Sequence, residues 1–477
     1  MHDDPRDDAL STENDGRECT YATSDSLQLL LISPELWREV HTALKLHFST
    51  ELPFLNDEDF YTRVNQPAAE RSADTRIFLL GVLALTARFI PKPSQHDALA
   101  RSEACAIALA ASLDERGLTG QLTLERVQGW IMICLYHWEM DRGPRAYYCI
   151  TTAAGMVQKM RGLVTDEQTP MDRQTMGRTV LSCFILEQFL APANSNQPQI
   201  FKVDDLVVPC SEEDFQSGLR MDSPDRPDGP GSSRNIESNP MDTYIRLVEM
   251  WGRVSRRLCD NRRWEEQYPP SDPLSEVYQL REQLFIISKS LPVKPTQVNT
   301  LEHKTINLCL AIHTLYLVCE ILIHREYLPS PRPRSNDPPE PKFLPHKYHI
   351  SSDFREECAS IISKSVGDIR DMMRDTSKRG VLANSPQVKF VIWAIAYASI
   401  YSKLPNRNDV FTSAIATLED MGRTSKIAHM WIAALKDLKE GRPRDMRILV
   451  ARRLGAGAHM GWMSSEGGSK GISQDER

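Results

Sequence analysis

Prolines cut this chain into segments of helical length, and that punctuation limits the possible folds more than any other feature. A proline fixes φ and lacks an N–H, so it suits the first turn of a helix and ends one elsewhere. Ser33 precedes Pro34 and reads as an N-cap, with Leu36, Val40, Leu44 and Phe48 recurring every four residues along one face. The segment 74–89 stops before Pro91 and Pro93, Pro144 opens 144–160, and 172–190 stops at Pro192. Further helices are expected over 57–64, 96–113 and 122–140. Beyond residue 240 they are expected over 241–262, 273–291, 299–326, 352–375, 385–404, 408–421, 424–439 and 443–454. No segment sustains a period-two alternation of apolar and polar residues, so strands are not expected in number. The expected fold class is all-α, a multi-helix bundle or superhelical array with disordered termini.

Composition shifts divide the chain. Residues 1–26 are polar and acidic, and read as a disordered tail. A helical domain is expected over 27–215, and a Pro-, Gly- and Ser-rich linker over 216–240. A second helical region is expected over 241–454, interrupted by a proline-rich loop at 328–350, and a disordered Gly/Ser-rich tail over 455–477. The net charge of −7 argues against a body that coats nucleic acid, so DNA contact would need a local basic module. The ten cysteines form no CxxC pair and sit mostly in apolar stretches, which fits a reducing compartment. The apolar run from Ile306 to Ile323 is long enough to span a bilayer but carries Asn307, His313 and Glu320. It reads as a buried central helix, with no membrane partner.

Enzyme signatures are missing. There is no P-loop, GxSxG elbow or HExxH. The glycines of Gly455-Ala456-Gly457-Ala458-His459-Met460-Gly461 follow a helix rather than a strand, so they read as linker. His137 in its apolar helix reads as a satisfied core or surface group. The basic runs around Arg253–Arg263 and Lys436–Arg453 could touch phosphates or serve nuclear import, and solvated helix faces account for them as well.

Two stretches carry a family resemblance. Asp15-Gly16-Arg17-Glu18-Cys19-Thr20-Tyr21-Ala22 resembles the end of a fungal binuclear zinc cluster, in which six thiolates hold two zinc ions. Only Cys19 is present, since Ala9 to Thr12 occupy the window of the preceding ligand. The second stretch is longer. It contains Leu46-His47-Phe48, Pro53-Phe54-Leu55 with Phe60, and Phe78 to Leu85. After these come Ile131 to Tyr136, Gly143 to Tyr147, Ala153 to Met160, and Gly177-Arg178-Thr179 to Gln188. Asn196-Gln197-Pro198 and then Asp204-Asp205-Leu206-Val207-Val208-Pro209-Cys210-Ser211-Glu212-Glu213-Asp214-Phe215 close it. Together they resemble the regulatory middle region of fungal zinc-cluster transcription factors, with the N-terminal zinc cluster missing or truncated. The pattern departs at Leu181, where the family has tryptophan, and at Asn196-Gln197, where it has Gly-Arg.

The resemblance implies a nuclear transcription regulator, specific to a pathway or gene cluster, that senses or transmits a signal. It implies no cofactor in the chain itself, and zinc, with Cys19 as a ligand, only where a complete cluster exists upstream. It further implies homo- or hetero-dimers with related regulators, DNA reached through a missing or partner module, and a small-molecule effector. Arg178, Glu187, Asp204 and Asp205 read as structural or regulatory positions, because an arginine or acid within a helix bundle usually ties elements together; ligand binding is the other reading. The chain is not expected to be an enzyme. Two other classes stay open: a helical scaffold or co-regulator without DNA binding, and a helical enzyme with an apolar substrate.

Overall fold

A computed structural model describes residues 33–90, 96–114, 122–162, 169–191, 200–206, 209–218, 239–259, 266–297, 303–328, 350–401 and 407–440. Both tails, the expected helix 443–454, and most of 216–240 and 328–350 lie outside the described residues. Among the described residues there are fifteen α-helices and no strand. The first eight are α1 (Pro34–Phe48), α2 (Asp57–Asn65), α3 (Ala73–Thr86), α4 (His96–Asp114), α5 (Leu124–Glu139), α6 (Gly143–Arg161), α7 (Pro170–Leu190) and α8 (Glu212–Ser217). The rest are α9 (Pro240–Cys259), α10 (Glu276–Ser288), α11 (His303–Arg325), α12 (Ser352–Lys378), α13 (Pro386–Tyr401), α14 (Arg407–Gly422) and α15 (Lys426–Lys439).

Local chemistry sets the helix starts. The Ser33 side chain accepts from Leu36 N at 3.4 Å, and Pro34 occupies the first turn of α1. At α7 a capping box forms: Asp172 N donates to Thr169 Oγ1 and Thr169 N donates to Asp172 Oδ2, both at 3.1 Å. Each such cap contributes about 1 kcal/mol. Ser72, Ser211 and Ser351 cap α3, α8 and α12 in the same way. α8 forms because Ser211 caps it and Glu212, Glu213 and Asp214 complement the positive end of the helix.

Two glycines permit the close approach of α3 and α5. A Cβ at Gly81 of α3 would come within 2.5 Å of Met132 of α5, and one at Gly129 of α5 within 2.6 Å of Ile77 of α3. Neighbours in the chain pack in order: α4 and α5 on α3, α6 on α5, α7 on α6. The apolar core then continues across 216–240, with α9 packed on α7, α11 on α1, and both α13 and α15 on α5. An aromatic spine marks this continuity. Trp138 lies against Phe189 at 5.8 Å between ring centres, Phe189 against Trp251 at 5.6 Å, and Trp251 against Phe390 at 4.9 Å. Phe390 meets Trp431 at 6.1 Å, so the spine crosses five helices.

α11 is the hub, in contact with α1, α9, α10, α12 and α13. Its Thr305–Arg325 stretch has a mean hydropathy of 2.0, and 78% of that window is buried within the fold, as expected of a central helix. Three polar side chains along it find partners, while Asn307 Oδ1 and His324 Nε2 are buried without one. Asn307 Nδ2 donates to Leu46 O at 2.7 Å, His313 Nε2 to Pro292 O at 2.9 Å, and Tyr316 OH to Glu320 Oε1 at 3.0 Å.

Candidate functional site

Arg178 lies on α7 with 1% of its side chain exposed. Its Nη1 donates to Pro53 O at 3.2 Å and to Glu212 Oε2 at 3.0 Å, and its Nη2 donates to Cys210 O at 2.8 Å and Ser211 O at 3.3 Å. The guanidinium stands 3.9 Å from the Phe215 ring centre. Around it, Asn56 Nδ2 donates to Phe215 O at 2.8 Å and Gln216 Nε2 to Leu55 O at 3.0 Å. One planar fork thus fixes the turn at 53–56 and the segment 210–216 onto α7. Only a guanidinium reaches four oxygens and a ring face at once.

Glu187 sits on the same helix but does not meet Arg178. It accepts from Ile200 N at 2.6 Å and Phe201 N at 3.3 Å, and so pins a third segment. Burial raises its pKa, against the opposing pull of those two amides and of Arg256. The two residues therefore tie loops to a helix rather than helix to helix. Asp204 and Asp205 lie in a short 3-10 turn, Val203–Asp205, and Asp204 is exposed. Cys19, Asn196, Gln197 and Pro198 lie outside the described residues.

The most unusual chemistry lies where sequence reading placed none. Glu51, just after α1, Arg88, in the 3-10 turn after α3, Glu139, the last residue of α5, and Lys389, on α13, are all buried together. Lys389 Nζ donates to Glu139 Oε1 at 2.7 Å, to Oε2 at 2.9 Å, and to Asn384 O at 2.9 Å. The paired residues are 250 positions apart in the chain, and both side chains have 0% exposure. Arg88 Nη2 stands 3.7 Å from Glu139 Oε2, and none of the Arg88 guanidinium nitrogens has a hydrogen-bond partner. Its charge is eased by the Phe89 ring, centred 5.0 Å away. Burial lowers the Lys389 pKa to about 8, with the Glu139 carboxylate opposing and Arg88 assisting. Burial raises that of Glu51, despite the Thr50 hydroxyl donating at 2.6 Å, and the nearby Glu139 charge adds to the rise. This group joins the chain end of α5 to α13, beside Trp138 and Phe390 of the aromatic spine. It holds charge without solvent and offers no nucleophile beside a base, so its chemistry is that of an electrostatic lock.

Two further features correct the sequence reading. Arg257, read as part of a solvated basic face, is buried among Glu276 at 2.7 Å, Glu266 at 3.3 Å and Glu326 at 3.4 Å. Burial pulls its pKa down, but Glu326, Tyr327 and Glu276 outweigh that and raise it. His137 is not the satisfied group expected, since its Nδ1 is buried without a partner. Burial, with Arg142 and Arg145 adding, pushes its pKa down to about 4.

A zinc cluster requires grouped thiolates. The eight described cysteines lie scattered, and burial raises the thiols of Cys105, Cys149 and Cys358 to about 12. Such groups resist the deprotonation that zinc ligation needs, so the described cysteines do not fit the cluster.

Residues 37–304 match the family model of the fungal specific transcription factor domain. The match runs well beyond the stretch quoted above, through α9 and α10 to the start of α11. No curated protein and no solved structure matches the chain.

Proposed function

Because this chain belongs to the fungal specific transcription factor domain family, we propose that it is a nuclear regulator acting on one pathway or gene cluster, with its helical body as the signal-transmitting part. The family is one of regulatory domains rather than of enzymes. The observation that carries the proposal is the family match over more than half of the chain. The helices themselves are not the DNA-reading surface. The net charge is −7, and the best-placed arginines are consumed internally: Arg178 by loop oxygens, Arg257 by three carboxylates, Arg63 by Asp59 and Glu125. DNA is reached through a separate module, supplied upstream or by a related partner.

The signal works through helix packing. The buried Lys389–Glu139 pair favours one arrangement of α5 and α13, and an effector or partner that binds another arrangement better shifts the balance. The test is to place the full chain behind a heterologous DNA-binding domain in a fungal reporter strain, alongside a tagged copy for imaging and chromatin occupancy. Nuclear residence with a changed reporter output is expected, and occupancy that depends on a full-length relative. Cytoplasmic retention with a silent reporter overturns the proposal.

A further inference from the structure

α10 carries two stripes. Val277, Leu280, Leu284 and Ile287 are buried, and α10 packs against α9 and α11. Glu282, Phe285, Ile286 and Lys289 form a second stripe at i, i+3, i+4 and i+7, roughly 170° around the helix from the first. Phe285 is 57% exposed and Ile286 58% exposed, while Glu282 and Lys289 are also exposed. Of nine large hydrophobic residues exposed among the described residues, five fall between Tyr268 and Val293. Ile286 also borders a groove of about 290 Å³ between α10 and α9, floored by Met250 and Ile287. Single exposed hydrophobics are ordinary, but the adjacent pair Phe285 and Ile286, flanked by opposite charges on one outer face of α10, marks an interaction surface.

The order of residues along the outer stripe identifies the occupant. We infer that it is a second copy of this chain, bound through α10 about a two-fold axis. The stripe reads acid, apolar pair, base, and both the Glu282/Lys289 and the Phe285/Ile286 pairs are centred on one point. A second α10 laid antiparallel across that point sets Phe285 of each copy on Ile286 of the other. It also sets Glu282 of each copy opposite Lys289 of the other. One stripe thus supplies two apolar contacts and two ion pairs, as an isologous interface requires. A parallel arrangement would oppose like charges. An acidic peptide would meet Glu282, and a basic one Lys289, so neither complements the whole stripe. A helix of 13 residues is only about 20 Å long, so the contact is smaller than a standard interface and the dimer is weak.

Sedimentation of the full chain over roughly 1–100 µM is the test, that being the range in which a contact of this size associates. Reversible dimerisation is expected. I286E should weaken it on the order of tenfold or more, by placing two carboxylates at the axis. E282K and K289E should each weaken it several-fold, and the double reversal E282K/K289E should return it to within about twofold of the original. All four variants should keep the thermal melt of the parent, since the stripe lies outside the core. A monomer throughout the range, a dimer indifferent to I286E, or a double reversal no better than the singles overturns the inference. None of these outcomes depends on the transcriptional role.

Discussion

Replacing Glu139 with glutamine keeps the shape of the buried group and removes its charge, leaving Lys389 and Arg88 as neighbouring cations with no exposure. Their responses differ. Burial already brings Lys389 to about 8, so at pH 7 its neutral form lies only about one unit, roughly 1.4 kcal/mol, above the charged form. Loss of Glu139 drives its pKa lower, the lysine sheds its proton, and its share of the penalty stops near ~1.4 kcal/mol. Arg88 stays protonated and forfeits the carboxylate 3.7 Å away, at a cost on the order of 2–3 kcal/mol. The expected penalty at pH 7 is therefore about 3–4 kcal/mol.

That penalty has a pH signature. In the parent protein Lys389 has a folded value depressed below the unfolded 10.5, so stability rises as pH climbs from about 8 toward 10.5. In E139Q the folded lysine is already neutral at pH 7 while the unfolded one is charged, so its stability rises from pH 7 to 8, where the parent, charged in both states, gains nothing. The difference between the two proteins should shrink by about 1.4 kcal/mol from pH 7 to about pH 9.5. Cysteine and tyrosine titrations are common to both chains and cancel. Urea midpoints followed by far-UV circular dichroism at the two pH values, with matched slopes, give the difference directly. A penalty below about 1 kcal/mol at pH 7, or one unchanged at pH 9.5, would show that the lock does not behave as described.

R178A orphans Pro53 O, Cys210 O and Ser211 O; a loss of about 3 kcal/mol and faster amide exchange at 53–56 and 210–216 are expected, with little change in α13. R178K should recover only part of this, because an ammonium cannot span the same oxygens. R257M leaves Glu266, Glu276 and Glu326 facing one another, and should cost about 3–5 kcal/mol at pH 7 with partial recovery as the carboxylates protonate on acidification. His137 has a folded pKa below its unfolded 6.5, so the stability it contributes is lost as pH falls from 6.5 toward about 4. H137Q should remove about 1 kcal/mol of that acid sensitivity, allowing for the partial exposure of the ring, and an unchanged acid transition would count against the burial argument.

The helices were legible because capping and proline chemistry are local. Ser33 with Pro34 and the run of Leu36, Val40, Leu44 and Phe48 locate α1 within the chain without any tertiary information. The family resemblance singled out both Arg178 and the Cys210–Phe215 segment, but their contact came only from the structure. The lock was not legible because its members lie in four separate elements and no local rule links them. One signal was nevertheless present. Lys389 is the lone charge in Val388-Lys389-Phe390-Val391-Ile392-Trp393, and Glu139 directly follows Trp138. A charge that cannot leave an apolar helix face needs a buried counter-charge, although its address is beyond sequence periodicity. Arg257 was misread for the converse reason. A cluster of arginines near a helix end looks solvated until three distant acids are folded over it.

The position of α11 matters for anyone building chimeras from this family. The matched region stops at residue 304, one turn short of Asn307, which reaches back to Leu46 O at 2.7 Å. A hybrid joined there would take α1 from one parent and the helix that seats it from another. Five mating surfaces would have to fit at once, since α11 borders α1, α9, α10, α12 and α13. Specificity is therefore best exchanged between parents by grafting side chains on exposed faces, leaving the central helix with the body that grew around it.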